Sequence, residues 1–87
     1  MSPSSFSFKL SVPNDPDSTA IIGEVARHAA EYANLEAAAV QAFSERAQAA
    51  AATAFKAGGA TSQATFAAAE GALTMTIGAE SVSERLS

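Results

Sequence analysis

The fold is decided by the segment FSERAQAAAATAFKAG, residues 43–58. Alanine, the strongest helix former, dominates this segment, and no glycine or proline precedes Gly58 in it. It therefore predicts the second half of a long helix over residues 36–56, stopped by Gly58 and Gly59. One face of this helix carries apolar or small side chains, namely Val40, Phe43, Ala47, Ala50, Ala51 and Ala54. We expect this stripe to pack closely across a small sheet.

A strand is predicted near the start of the chain. Residues 6–12, FSFKLSV, alternate strictly between apolar and polar side chains, which is typical of a half-buried strand. The apolar face of this strand carries Phe6, Phe8, Leu10 and Val12. Pro13 is expected to end the strand.

A first helix is predicted to follow, with its start at residues 15–17. Asp15 is a good N-cap, Pro16 suits the first helical position, and Asp17 favours the positive end of the helix dipole. The helix is expected to run to about Ala33. Asn34 can adopt the left-handed conformation that closes a helix.

A β-hairpin is predicted over residues 62–78, turning at Glu70 and Gly71. A two-residue loop pairs Ala69 with Ala72, Ala68 with Leu73, Phe66 with Met75, and Ala64 with Ile77. This register places the large side chains on one face of the hairpin. Thr65, Thr74 and Thr76 then point to the other face.

The predicted fold is α+β, with element order β-α-α-β-β. It is a two-layer sandwich in which two helices cover one face of a three-stranded antiparallel sheet. The single domain spans residues 6–78, after a disordered N-terminus at residues 1–5 and before a polar tail or short helix at residues 79–87. The expected core comprises Phe6, Phe8, Leu10, Phe66, Leu73, Met75 and Ile77, together with Ile22, Val25, Phe43 and Ala50.

Composition narrows the class of function. The chain has 87 residues, enough for one small domain, and a formal net charge of -4. This charge argues against nucleic acid and anionic membranes as partners. There are no cysteines for disulfides or thiol chemistry. No apolar run approaches the ~20 residues of a membrane span, and residues 1–5 lack signal-peptide features, so a soluble cytoplasmic protein is expected.

The second helix carries a motif that resembles a known family. The matching positions are Ser44, Glu45, Ala50, Ala54, Phe55, Lys56 and Gly58. In this spacing the chain resembles the ATP-binding fold of the GHKL (HATPase) superfamily, and most of all the N-terminal half of the anti-sigma-factor serine kinases. The turn at residues 12–16, VPNDP, and the hairpin extend the resemblance over roughly residues 6–78.

The resemblance implies a shortened and degenerate ATP-binding fold. Ala49 stands where the family carries the asparagine that holds Mg²⁺, and Ala49 offers no oxygen ligand. The adenine-reading Asp-x-Gly-x-Gly loop is replaced by residues 78–82, GAESV. We therefore predict no catalytic residues, no metal site, no cofactor and no enzymatic activity. Gly58 and Gly59 follow a helix, so they fit a helix end better than a phosphate loop.

Two residues keep a catalytic alternative open. His28 is the only histidine and is a candidate phosphoacceptor for histidine phosphotransfer. Glu45 matches the position of the family's general base. For both residues, an exposed position on a helix is the simpler interpretation.

The favoured function is a non-catalytic protein-interaction or regulatory module that has lost ATP binding. The resemblance implies a regulatory partner of the sigma-factor or antagonist class, and thus a role in transcription regulation. A homodimer is also predicted, either through the alanine stripe of the second helix or through the sheet face opposite the helices. That face is predicted to carry Ser7, Lys9, Ser11, Thr65, Ala67, Ala69, Thr74 and Thr76. A structural remnant without a specific partner is the remaining alternative.

Overall fold

Six elements build one antiparallel sheet with two helices on one of its faces. The computed structural model describes residues 6–69 and 71–85. The elements are β1 (Phe6–Pro13), α1 (Pro16–Tyr32), α2 (Ala37–Lys56), β2 (Thr61–Ala69), β3 (Ala72–Ile77) and β4 (Glu80–Arg85). The strands follow one another across the sheet in the order β1-β2-β3-β4, and neighbours are antiparallel.

The sheet has four strands, so the prediction of three strands and the order β-α-α-β-β is wrong. The order is β-α-α-β-β-β, because residues predicted as a polar tail or short helix form β4. A tight turn at Gly78, where φ is +59°, returns the chain alongside β3. Val82 pairs with Met75 and faces the helices. Because Val82 is a lone apolar residue among polar ones, β4 has only a weak signal in the sequence. The rest of the predicted tail, residues 86–87, and the predicted disordered N-terminus, residues 1–5, lie outside the described residues.

The predicted hairpin register is confirmed. Ala68 pairs with Leu73, Phe66 with Met75, and Ala64 with Ile77. Gly71 in the turn has a φ of +80°, a conformation that glycine adopts without a steric penalty. Leu73, Met75 and Ile77 consequently lie side by side with β2 residues on the buried face.

Both helices begin and end close to their predicted limits. The Asp15 carboxylate caps α1 by accepting a hydrogen bond from the Ser18 amide at 3.1 Å, and Pro16 occupies the first helical position. Asn34 closes α1 with a φ of +67°, as predicted. Glu36 precedes α2 as its N-cap residue, without a side-chain capping bond.

The alanine stripe of α2 is interior. Phe43, Ala47 and Ala51 are fully buried, while α1 packs along one side of α2 and β4 along another. A direct polar contact joins the helices where Ser44 Oγ donates to the Gly23 carbonyl oxygen at 2.9 Å. Gly23 has no side chain, so Gln48 occupies the space that a Cβ there would need. The stripe therefore leaves no surface for pairing with a second copy.

Asn14 ties the corner between β1 and α1 to the loop between α2 and β2. Its Nδ2 donates to the carbonyl oxygens of Gly58 at 2.9 Å and Gly59 at 3.0 Å. Its Oδ1 accepts from the Ser62 hydroxyl at 2.5 Å, and its backbone amide donates to the Ala60 carbonyl. Gly58 and Gly59 thus follow the end of α2 and accept the hydrogen bonds from Asn14. Their φ values are +100° and +95°, in the positive range typical of residues that end a helix.

The core matches the prediction except along β1. Ile22, Phe43, Phe66, Leu73, Met75 and Ile77 have no exposed surface. Phe6, Leu10 and Val25 pack partly against this core, but Phe8 is 40% exposed and is not a core residue. Phe8 faces the helix side of the sheet opposite Phe66, yet β1 is an edge strand and α1 does not cover it fully.

The opposite face of the sheet carries mostly Ser, Thr and Ala side chains, and no helix within the described residues covers it. Its predicted members are exposed or partly exposed, and Ser81, Ser83 and Arg85 of β4 extend it. Among the described residues, no helix combines the length and apolar character needed to cross a membrane.

Candidate interaction site

An open apolar groove of about 520 Å³ lies between α1 and the outer edge of β1. We call it the aromatic groove, and it is lined by Phe6, Phe8, Val25, His28, Ala29 and Tyr32. Both walls follow from sequence periodicity. Alternate residues of β1 face the helices, while Val25, His28 and Tyr32 recur on one side of α1 at helical spacing.

The aromatic rings of the groove hold one another in place. Phe6 and Phe8 lie nearly parallel with ring centroids 6.2 Å apart, and Tyr32 meets Phe6 edge-on at 5.2 Å. Phe8 also stacks on the fully buried Phe66 at 5.2 Å. This geometry is one that aromatic pairs prefer, and it connects the groove directly to the core. The groove is therefore formed before any partner arrives.

The groove leaves a large apolar area open to water. Tyr32 is 60% exposed, Phe8 40%, and Ile21, one turn before Val25 on α1, 46%. With ~200 Å² for each aromatic side chain, Phe8 and Tyr32 alone expose about 200 Å². The partly buried lining enlarges this patch. Contiguous apolar patches beyond a few hundred Å² mark interaction sites on soluble proteins.

Charged residues along the rim are paired within α1. Arg27 contacts both Glu24 and Glu31, with an Nη1 to Oε2 distance of 3.2 Å to Glu31. The Arg27 guanidinium lowers the pKa of Glu24 through a hydrogen bond and its charge, and Glu24 in turn raises the pKa of Arg27. His28 lies 3.6 Å from Glu24 and 3.8 Å from Glu31. The rim thus presents few uncompensated charges to a partner.

The two candidate catalytic residues are not brought together. His28 lies on α1 with its side chain 64% exposed, between two carboxylates that would repel a phosphoryl group. Glu45 lies on the exposed side of α2 and accepts a hydrogen bond from Gln41 at 2.7 Å. Within residues 6–69 and 71–85, no cluster of three or more metal-ligating side chains occurs. His28 and Glu45 thus lie on different helices, each in contact with residues of its own helix.

Ala49 borders a smaller cavity of about 280 Å³ between α2 and β4. The cavity is lined by Arg46, Ala49, Ala50, Thr53, Glu80, Ser81 and Val82. Arg46 closes one end by an ion pair with Glu84 and by donating to the Ser83 carbonyl oxygen at 2.8 Å. The start of β4 therefore runs beside the residue that the resemblance places at the metal position.

Sequence reasoning placed Phe8 in the core and did not identify the groove. The available signal was a second stripe on α1, in which Ile21, Val25, His28 and Tyr32 follow one another at spacings of three or four residues. Ile21 and Tyr32 in this stripe are exposed, whereas Val25 packs partly against the core. The fold itself therefore uses this second stripe of α1 only in part.

Comparison with known proteins does not add a family to these observations. No family model matches the chain, and no curated protein matches it either. No family is therefore assigned to the chain.

Proposed function

We propose that this protein is a non-catalytic protein-interaction module that forms a homodimer through its aromatic groove. The exposed surfaces of Phe8 and Tyr32 in the groove, beside the free edge of β1, carry the proposal. Burying these side chains recovers the hydrophobic free energy that the monomer leaves unused, at about 25 cal/mol per Å².

A second copy suits this surface for two reasons. A two-fold dimer brings the same patch of both copies together. The apolar aromatic surface of one copy is then buried against the apolar aromatic surface of the other. Arg27 compensates one of the two rim carboxylates, Glu24 and Glu31, so only one net negative charge per copy opposes the approach of a second copy. The chain exposes 5049 Å² in total, and a standard interface takes ~800 Å² from each partner.

The resemblance to anti-sigma-factor serine kinases supplies the proposed biological setting. We propose a regulatory partner of the sigma-factor or antagonist class, bound by the dimer without ATP, in transcription regulation in the cytoplasm. The support comes from α2, which carries the motif of these kinases but has Ala49 at the position of the metal ligand. A histidine-phosphotransfer role has weaker support, since His28 is flanked by Glu24 and Glu31.

Sedimentation and light scattering across a dilution series test the dimer. The parent is expected to be dimeric at ~100 µM, where a micromolar dissociation constant gives nearly complete association. Tyr32→Glu places a charge in the groove and should yield a monomer. Because Tyr32 is mostly exposed, the melting temperature of this variant should match that of the parent at concentrations where the parent is also dissociated. Thr74→Lys, on the opposite sheet face, is the matched control and should remain dimeric. A parent that stays monomeric, or a dimer broken by Thr74→Lys alone, overturns the proposal.

A further inference from the structure

We infer that two copies join along their β1 edges into one continuous antiparallel sheet of eight strands, with Phe8 of one copy opposite Phe8 of the second copy. This inference rests on the proposed homodimer and specifies its geometry. Three observations carry it: the free edge of β1, the side of the sheet on which the groove lies, and the position of Lys9.

The edge of β1 is the more permissive of the two sheet edges. β1 pairs with β2 on one side, and on its other side no strand of the described chain is present. Lys9 is the only charged residue among the eight of β1, whereas β4, the other edge strand, carries Glu80, Glu84 and Arg85 in six residues. Charged residues on an edge strand oppose pairing with another chain. β1 is therefore the edge at which a further strand can be added.

The location of the groove determines how the second sheet must be oriented. Phe6, Phe8 and Leu10 face the helix side, and α1 borders the groove on that same side. The two grooves merge into one apolar seam only when both copies carry their helices on the same face of the joint sheet. Directly opposite residues of an antiparallel pair point to the same face, so a helix-facing residue must lie opposite another helix-facing residue. This condition excludes every second alignment of the two β1 strands, namely those that set a helix-facing residue opposite a residue of the other face.

Lys9 and Pro13 distinguish between the remaining registers that pair at least five described residues of β1. Placing Phe8 opposite Leu10 sets Lys9 against Lys9 of the second copy, and like charges in that position are destabilising. Placing Leu10 opposite Leu10 or Val12 sets Pro13, which has no amide hydrogen, against Ser7 or Lys9 of the second copy. Placing Phe8 opposite Phe8 avoids both conflicts. It also sets Phe6 against Leu10 and Ser7 against Lys9, over residues 6–10.

A cysteine scan of β1 tests the register directly, since the natural chain has no cysteine. Directly opposite residues have Cβ atoms ~4.5–5.5 Å apart, close to what a disulfide needs. After mild oxidation, Phe8→Cys should form a covalent dimer, and Lys9→Cys and Leu10→Cys should remain mostly unlinked. A dimer linked through Lys9→Cys or Leu10→Cys, but not through Phe8→Cys, overturns the register.

A charge pair provides a second test that leaves the aromatic side chains intact. Ser7→Glu and Ser11→Glu each place a carboxylate two residues from Lys9 on the same face of β1. Only residue 7 lies opposite Lys9 of the second copy in the inferred register. Ser7→Glu should tighten the dimer about two- to tenfold at low salt, from two new cross-strand pairs. Ser11→Glu should leave the dissociation constant within about twofold of the parent.

The homodimer and the β1 register are overturned by different results. If the parent and both glutamate variants are dimers of equal strength, the β1 register is wrong and the homodimer stands. If the parent is monomeric at every concentration, the homodimer itself is wrong, and the register with it.

Discussion

Ser44 donates its hydroxyl hydrogen to the backbone carbonyl oxygen of Gly23 over 2.9 Å, inside the contact between α1 and α2. Both residues are buried, so water does not replace this bond. Ser44 belongs to the motif that resembles the anti-sigma kinases, and here it joins the two helices directly.

Removing that hydroxyl is expected to weaken the helix pair. Ser44→Ala should lower the free energy of unfolding by about 1 kcal/mol, the usual net value of a buried hydrogen bond. For a domain of this size, that corresponds to a melting temperature lower by ~4–8 °C. Ser11→Ala, on the exposed sheet face, is the control in thermal denaturation followed by circular dichroism. Equal melting temperatures for the two variants would contradict the assigned role of Ser44.

Truncation of aromatic residues should separate the core from the groove. Phe43 and Phe66 are fully buried, and replacing either with Ala should cost ~3–5 kcal/mol of stability. Phe8→Ala should cost clearly less, since Phe8 is 40% exposed. Urea unfolding at a concentration low enough to keep every variant monomeric measures all three. If Phe8→Ala proves as damaging as Phe66→Ala, Phe8 is a core residue after all.

Asn14 is expected to matter more than its exposed position on a corner suggests. Asn14→Ala removes the bonds to Gly58, Gly59 and Ser62 and should cost ~1–3 kcal/mol. Asn14→Asp keeps the acceptor for Ser62 but loses both donors. Its free energy of unfolding, measured by urea titration, should therefore lie between those of Asn14→Ala and the parent. Hydrogen exchange should quicken first at residues 60–62 in both variants. Unchanged exchange there would show that the corner holds without the side chain.

The chain is predicted not to bind ATP. Ala49 contributes no oxygen ligand, and Glu80, Ser81 and Val82 line the cavity beside it. Calorimetry with millimolar Mg·ATP should give no saturable heat, for the parent and for Ala49→Asn alike. Restored binding in Ala49→Asn would mean that only the metal ligand had been lost. A micromolar dissociation constant for the parent would contradict the prediction.

The pKa of Glu24 should depend on Arg27. It lies below its ordinary value in the folded chain, so this pair stabilises the fold above about pH 4.3 and the contribution is lost as the pH falls. Arg27→Gln should return the Glu24 pKa towards ~4.3 in a carboxyl-detected NMR titration. Arg46→Gln, on α2, is the control and should leave Glu24 unchanged. The effect on stability is small, because both partners are exposed.

Local rules were enough for most of the fold and not for the site. Asp15, Asn34 and the hairpin pairing of Phe66 with Met75 were predictable, because capping and cross-strand register are determined within a few residues. β4 was missed because Val82 is its only large apolar residue within Glu80–Arg85, and its pairing with β3 depends on backbone bonds that any sequence can make. The exposure of Phe8 was missed because it depends on which strand forms the sheet edge. That is a property of the whole topology.

One row of paired residues runs straight across the sheet, from Phe6 through Ala68 and Leu73 to Glu84. It places the first and last described strand ends on the same side of the molecule, three strand spacings or about 14 Å apart. Five extended residues span ~16 Å, enough to join these two ends. The fold should therefore tolerate circular permutation. In such a variant a linker joins these two ends and new termini lie in the turn between α1 and α2, so that every strand pair and both helices are kept.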